Sequence, residues 1–322
     1  MQRTWSYLIL LCGVAVAQCS AQPAGGVSAA GYLPPVPIVA TGGQLLTVYV
    51  HGVGAALTRA VSAPSIPLPA ELAGISVALE QSLAPRGPFA VPLLAVFPVA
   101  SCPNAGGACG VLTGISLQVP FELAAGPFNV GGVTQNVAKF TVSENGVAAA
   151  AVEVTPASDQ IHVLRYGDSL VGPSVPGDPV AGSPLVTHAG GSVVTPGNPA
   201  RAGETLVIYL VGAGLGQVFD VPSPPPAATG SAPPMTVPAA KVSVDFDFRP
   251  NAAPSKPLFP GSATVPVWLL AGYVGLYQAN VALPAVIPQV PACGSPGVTS
   301  NLTIDLGGLR SADGAAICVA AP

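Results

Sequence analysis

His51, His162 and His188 are the only imidazoles in the chain, and they bound the acid–base chemistry it can perform. A hydrolase serine would sit in a G-x-S-x-G turn, and none occurs. A zinc peptidase would show H-E-x-x-H, which is also missing. His51 ends the run GGQLLTVYVHGVG (42–54), where the related run AGETLVIYLVGAG (202–214) has Val211. That exchange marks a packing or surface position rather than a catalytic one. His188 lies in THAGG, a turn. Asp245 and Asp247 share one strand face, with Phe246 and Phe248 on the other. Two carboxylates make a solvated face, since Ca²⁺ takes about six to eight oxygens. GAGLG (212–216) follows a strand-like run, but QVFDVPSPPP after it cannot form the helix N-terminus that a dinucleotide needs. Its glycines read as a turn at positive φ. The expectation is no catalytic residue, no metal site, no cofactor and no enzyme.

Cysteine chemistry is the other possibility. Residues 1–21, MQRTWSYLILLCGVAVAQCSA, read as a secretory signal peptide, with Arg3 ahead of an apolar stretch. Cleavage after Ala21 leaves four cysteines, Cys102, Cys109, Cys293 and Cys318; cleavage after Ala17 would also keep Cys19. Val16-Ala17-Gln18-Cys19 loosely resembles a lipid-attachment site, which is a third alternative. In an exported chain the four cysteines are expected as disulfides. Cys102 and Cys109 enclose the turn sequence PNAGGA, and Cys293 and Cys318 both lie late in the chain. Pairing within each half is the preferred reading and cross-pairing the alternative; each bridge would contribute about 2–4 kcal/mol.

Aromatic residues offer a further surface. Trp268 in VPVWLLAG, with Tyr273 and Tyr277 in GYVGLYQ, are candidate ligand-surface aromatics, against the plainer reading of core and edge packing. Asn301-Leu302-Thr303 fits a glycosylation pattern but also suits plain strand sequence.

These residues must be positioned by strands. Half of the residues are apolar and 7% charged, with 38 Gly and 38 Pro spread through the chain. Such a chain is folded by burial, hydrogen bonds and bridges rather than ion pairs, with many turns between short strands. Five segments recur in one order. GGQLLTVYVHGVG returns as AGETLVIYLVGAG; GISVALE (74–80) as KVSVDFD (241–247); VPLLAVFP (91–98) as VPVWLLAG (265–272). ISLQVP (115–120) returns as ANVALP (279–284), and KFTVSENG (139–146) as NLTIDLGG (301–308). This predicts an all-β chain of two tandem immunoglobulin-like β-sandwich domains, at 32–155 and 190–322. Residues 156–189 read as a connector: a short hairpin against the interface or a semi-rigid spacer. PSPPPAATGSAPPMTVP (222–238) reads as an exposed, mobile loop.

The Gly-Gly pair before a strand ending in G-x-G resembles IPT/TIG-type immunoglobulin-like domains. More specifically, VTHAGGSVVTPGNPARAGETLVIYLVGAGLG (186–216), GYVGLYQANVALP (272–284) and ISLQVPFEL (115–123) resemble the Solibacter uncharacterised C-terminal domain family of secreted acidobacterial proteins. The resemblance runs from about residue 32 to the end and implies a secreted, β-rich protein. It carries over no catalytic residues.

Formal net charge is −4, and no basic cluster occurs, so nucleic acid is not an expected partner. The apolar stretch 269–287 is interrupted by Gln278, Asn280 and Pro284, so no transmembrane helix is expected beyond the signal segment. The reading is a non-enzymatic adhesion, scaffold or interaction module, secreted or at the cell surface. Its expected partner is a protein or polysaccharide of the cell envelope or extracellular matrix. The alternatives are a polysaccharide-binding module around Trp268, Tyr273 and Tyr277, and a secreted hydrolase with an unrecognised site.

Overall fold

The computed structural model describes residues 22–27, 38–83, 85–101, 110–125, 136–168, 182–214, 228–246, 259–287, 302–306 and 312–320. Within them the chain is all-β, with 19 strands and no helix; none is therefore long and apolar enough to cross a membrane. The first half carries β1 (Gln22–Val27), β2 (Ile38–Ala40), β3 (Leu45–His51), β4 (Val61–Ser62), β5 (Glu71–Leu72), β6 (Ile75–Gln81), β7 (Phe89–Ala90), β8 (Leu93–Ser101), β9 (Gly110–Gln118), β10 (Ala138–Glu144) and β11 (Val147–Pro156). The second carries β12 (His162–Val163), β13 (Val186–His188), β14 (Thr205–Val211), β15 (Val237–Phe246), β16 (Phe259–Leu269), β17 (Tyr277–Ala282), β18 (Leu302–Asp305) and β19 (Ala312–Ala315).

In the first half β1-β3-β9-β8-β4 form one sheet and β2-β11-β10-β6-β5 another, with β7 beside β6. Alternation decides which side chains enter: β6 buries Ile75, Val77 and Leu79 and leaves the residues between them half-exposed. Those three meet Phe140 from β10, and Leu46, Val48 and Ile115 from the other sheet, in one core. The second half is one sheet in the order β12-β14-β17-β16-β15-β18-β19, with β13 also on β14. Its two ends approach each other, since Val163 N in β12 donates to Asp313 Oδ2 in β19 at 2.8 Å and Ala200 bridges Val319. The sheet thereby curls round a core containing Ile208, Val244, Phe246, Tyr277 and Ile304.

The recurring segments occupy corresponding strands. The neighbours β3–β9, β9–β8 and β6–β10 have counterparts in β14–β17, β17–β16 and β15–β18. Register corresponds as well. Leu46 faces Leu117 as Leu206 faces Val281, and Val77 faces Val142 as Val244 faces Ile304. The halves differ at one seam. β15 and β16 pair along a hairpin, whereas β6 and β8 stay in separate sheets.

Of the two readings of the 156–189 stretch, its described residues follow the short hairpin: Arg165 bridges Pro184, β12 and β13 pair with β14, and Ile161, Val163 and Val186 enter the second core. A strand of two or three residues has too few turns of alternation to be seen in a sequence. The described part of the 222–238 stretch departs from the expected free loop. Gly230 N donates to Gln118 Oε1 at 2.7 Å, Leu68 N to Gly230 O at 2.8 Å and Phe121 N to Thr229 Oγ1 at 3.1 Å. Backbone polar groups must find partners on burial, and here a long-range partner in the first half supplies them. Val237 and Pro238 already belong to β15.

The halves meet through the repeated glycine motif. Leu45 packs with Leu164, Val211 and Val274, and Thr41 Oγ1 donates to Ser158 O at 2.9 Å. This explains a difference between two similar strands. β3 is buried on both faces, while β14 alternates buried and open positions until it reaches the junction. Gly212 and Gly214 have φ of 74° and 68°, as expected for a turn. A Cβ on Gly212 would lie 1.9 Å from Gln160 O, so the close approach itself requires glycine.

Candidate functional site

Four ionisable side chains converge where the second sheet closes. His162 and Arg165 come from β12 and the residues after it, Asp168 from the following turn, and Asp313 from β19. His162 Nε2 lies 2.9 Å from Asp168 Oδ2, and His162 Nδ1 lies 3.2 Å from Asp313 Oδ2. Arg165 Nη2 is 3.0 Å from both Asp313 oxygens and also donates to Gly314 O. Arg165 Nη1 donates to Val163 O at 2.9 Å, and Arg165 N donates to Asp168 Oδ2 at 2.7 Å. His162 is 7% exposed and Asp168 is 3% exposed, so these charges are held by one another rather than by water.

The electrostatics follow from this arrangement. Burial alone would lower the His162 pKa, but the hydrogen bonds and charges of Asp168 and Asp313 outweigh it and raise it above the usual imidazole value. Burial would raise the Asp313 carboxyl, but His162 and Arg165 hold it below the usual carboxylate range. Tyr49 of β3 is raised, first by its burial and then by the charge of Asp168, which puts the cluster close to the first half as well. Arg165, joined by His162 when its ring is protonated, offsets the two carboxylates. Both imidazole nitrogens and both acids are engaged, which makes the group a clasp between β12 and β19.

A second ionic group lies at an open depression of about 410 Å³ lined by residues including His188, Asn198, Arg201 and Glu204. His188 Nδ1 bonds Glu204 Oε1, His188 Nε2 lies 3.2 Å from Asn198 O, and Arg201 N donates to Glu204 Oε2 at 2.9 Å. Burial works to raise the Glu204 pKa, but the His188 and Arg201 interactions lower it. Both His188 ring nitrogens have partners, so this pair fastens the G-N-P-A-R-A-G-E turn onto β13.

The residues expected to form a ligand surface separate. Tyr277 is fully buried and its hydroxyl donates to Gly214 O at 3.2 Å, so it is a core residue rather than a surface aromatic. Burial raises its pKa. The reason is alternation, because Tyr277 falls on the inward face of β17. Trp268 points to the opposite, outward face and is partly exposed. Tyr273 is 58% exposed in the turn between β16 and β17. Asp245 is buried at 6% exposure, so it is not on a solvated face. Asp247, Asn301 and the signal segment with Cys19 lie outside the described residues, as do Cys102, Cys109 and Cys293. Cys318 is disulfide-bonded. Among the described residues no group of three or more His, Cys, Asp or Glu could hold a metal ion. Sequence reasoning missed the clasp. His162, Arg165 and Asp168 recur every third residue, but no local signal points to Asp313.

No family model matches the chain, and no curated protein matches it. Among solved structures it is similar to the Yersinia pseudotuberculosis adhesin InvE, at 11% identity and a TM-score of 0.18. That comparison covers 88% of this chain and 57% of the other, so the chain spans little more than half of that protein's length.

Proposed function

We propose that the chain is an exported, non-enzymatic interaction module of the cell envelope or extracellular matrix, built as two immunoglobulin-like β units. The observation that carries this reading is the use made of its scarce ionisable groups. His162 and His188 are each engaged at both ring nitrogens by partners that fasten the fold, which supports a structural rather than a catalytic use of these two imidazoles. Loops and sheet faces on a well-packed scaffold are then the surfaces able to recognise something. Cleavage of the signal segment after Ala21 would leave β1 intact, since that strand begins at Gln22. The resemblance of residues 186–216 to the secreted Solibacter C-terminal family agrees with export. The test is to express the full chain with its leader, measure the mass of the exported product, and probe it against envelope and matrix fractions. An N-terminus at Gln22 and retention on one fraction are expected. Cytoplasmic retention of an uncleaved chain would overturn the reading.

A further inference from the structure

The outward face of the second sheet carries a row of side chains that stands apart from the core inside that sheet. Pro238 is paired with Trp268, Trp268 with Gln278 and Gln278 with Tyr209. Directly opposed residues of antiparallel strands point to the same side, so all four share one face. Asn280 stands beside Gln278 on the same face, two residues along β17. Pro238 and Asn280 are exposed, and Trp268, Gln278 and Tyr209 are partly exposed. Strand spacing gives the row a length of about 15 Å.

The row presents unspent hydrogen-bonding capacity. Gln278 Nε2 donates to Asn280 Oδ1 at 3.3 Å, which orients both amides. Gln278 Oε1, Asn280 Nδ2, Trp268 Nε1 and the Tyr209 hydroxyl have no protein partner among the described residues. An indole face flanked by oriented amides suits a pyranose ring. The ring's C–H face packs on the aromatic surface, and its hydroxyls both donate and accept. No carboxylate stands in the row, and Lys241 is the one charge on the outward side of the neighbouring Lys241–Pro266 pair. Tyr209 also packs against the junction cluster of Leu45, Leu164 and Val211, so one end of the row is anchored between the two halves.

We propose that this face binds a neutral, linear polysaccharide, with Trp268 as the stacking residue and Gln278 and Asn280 as hydroxyl ligands. The proposal rests on reading the chain as an exported interaction module and names its ligand class. The probes are xylan, a mixed-linkage β-glucan and hydroxyethylcellulose, with polygalacturonate as the acidic comparison. Affinity electrophoresis of the exported chain should show retardation in at least one neutral gel and none in polygalacturonate. Trp268→Ala should weaken binding about tenfold, Trp268→Phe less, and Asn280→Ala measurably, with thermal midpoints near that of the wild type. No retardation by any neutral glycan, retardation by polygalacturonate alone, or unchanged binding in Trp268→Ala would overturn the proposal. If the chain is retained by an envelope fraction stripped of polysaccharide but by no neutral glycan, this inference fails while the broader reading stands.

Discussion

Arg165 Nη2 lies 3.0 Å from both carboxylate oxygens of Asp313, although the two residues are 148 apart in sequence. The contact joins the segment just after β12 to β19, the two ends of the second sheet, which no ladder of backbone hydrogen bonds connects among the described residues. A sheet with free ends exposes unpaired N–H and C=O groups. Here side-chain charges complete the closure. In a chain with 7% charged residues, spending three of them together with His162 at one seam makes that seam a principal electrostatic feature of the fold.

Breaking the clasp from one side should cost more than removing it altogether. Asp313→Asn leaves the partly buried Arg165 without its carboxylate and removes one of the two that flank His162, and we expect a loss of about 2–3 kcal/mol in urea unfolding. The double variant Arg165→Leu/Asp313→Leu should recover part of that loss, because no orphaned charge remains. Equal or additive losses in the single and double variants would show that the charges are not coupled.

Stability should depend on pH with two signs. His162 is raised in the folded state, so its contribution is complete below the unfolded pKa and is lost as pH rises through the folded one. Asp313 is lowered, so its contribution is complete above the unfolded pKa and is lost as pH falls through the folded one. Thermal midpoints should peak where the carboxylates are ionised and the imidazole is protonated, and fall on both sides. In His162→Gln the decline on the alkaline side of that peak should flatten. A wild-type profile that stays level through the histidine range would contradict the assignment.

Glycine at position 212 is expected to be irreplaceable for two reasons acting together. Gly212→Ala meets both a φ of 74° and a carbonyl 1.9 Å from the new Cβ, so it should destabilise by at least about 3 kcal/mol. Gly146 has a similar φ of 78° but open space around it, and Gly146→Ala should cost only about 1–2 kcal/mol. Chemical denaturation of the pair checks this, and equal costs would contradict it.

The docked segment 228–236 should resist proteases while its anchors are intact. Gln118→Ala removes the acceptor for Gly230 N, and Thr229→Val removes the one for Phe121 N. Both variants should be nicked between 228 and 236 under conditions that leave the wild type whole there. Mass spectrometry of the fragments locates the cut.

The second disulfide is expected between Cys293 and Cys318. Non-reducing peptide mapping should recover those two cysteines in one linked fragment, with Cys102 and Cys109 in another. A Cys102–Cys318 fragment would refute pairing within halves.

Much of the architecture was legible because it is local. Runs such as LLTVYV and ISVALE announce strands by branching and alternation, and their recurrence in one order is matched in the structure by the corresponding pairings and registers of β3 with β9 and β14 with β17. The Gly-x-Gly turn was readable for the same reason, since positive φ is a demand made on single residues. What the sequence could not decide was which side of a strand each residue takes once a single-residue shift reverses every face. Tyr277 and Gln278 are adjacent, yet one closes the core and the other meets Trp268 outside it. Nor could it decide which distant charges meet, because Arg165 and Asp313 are brought together only when the sheet curls and its two ends arrive side by side.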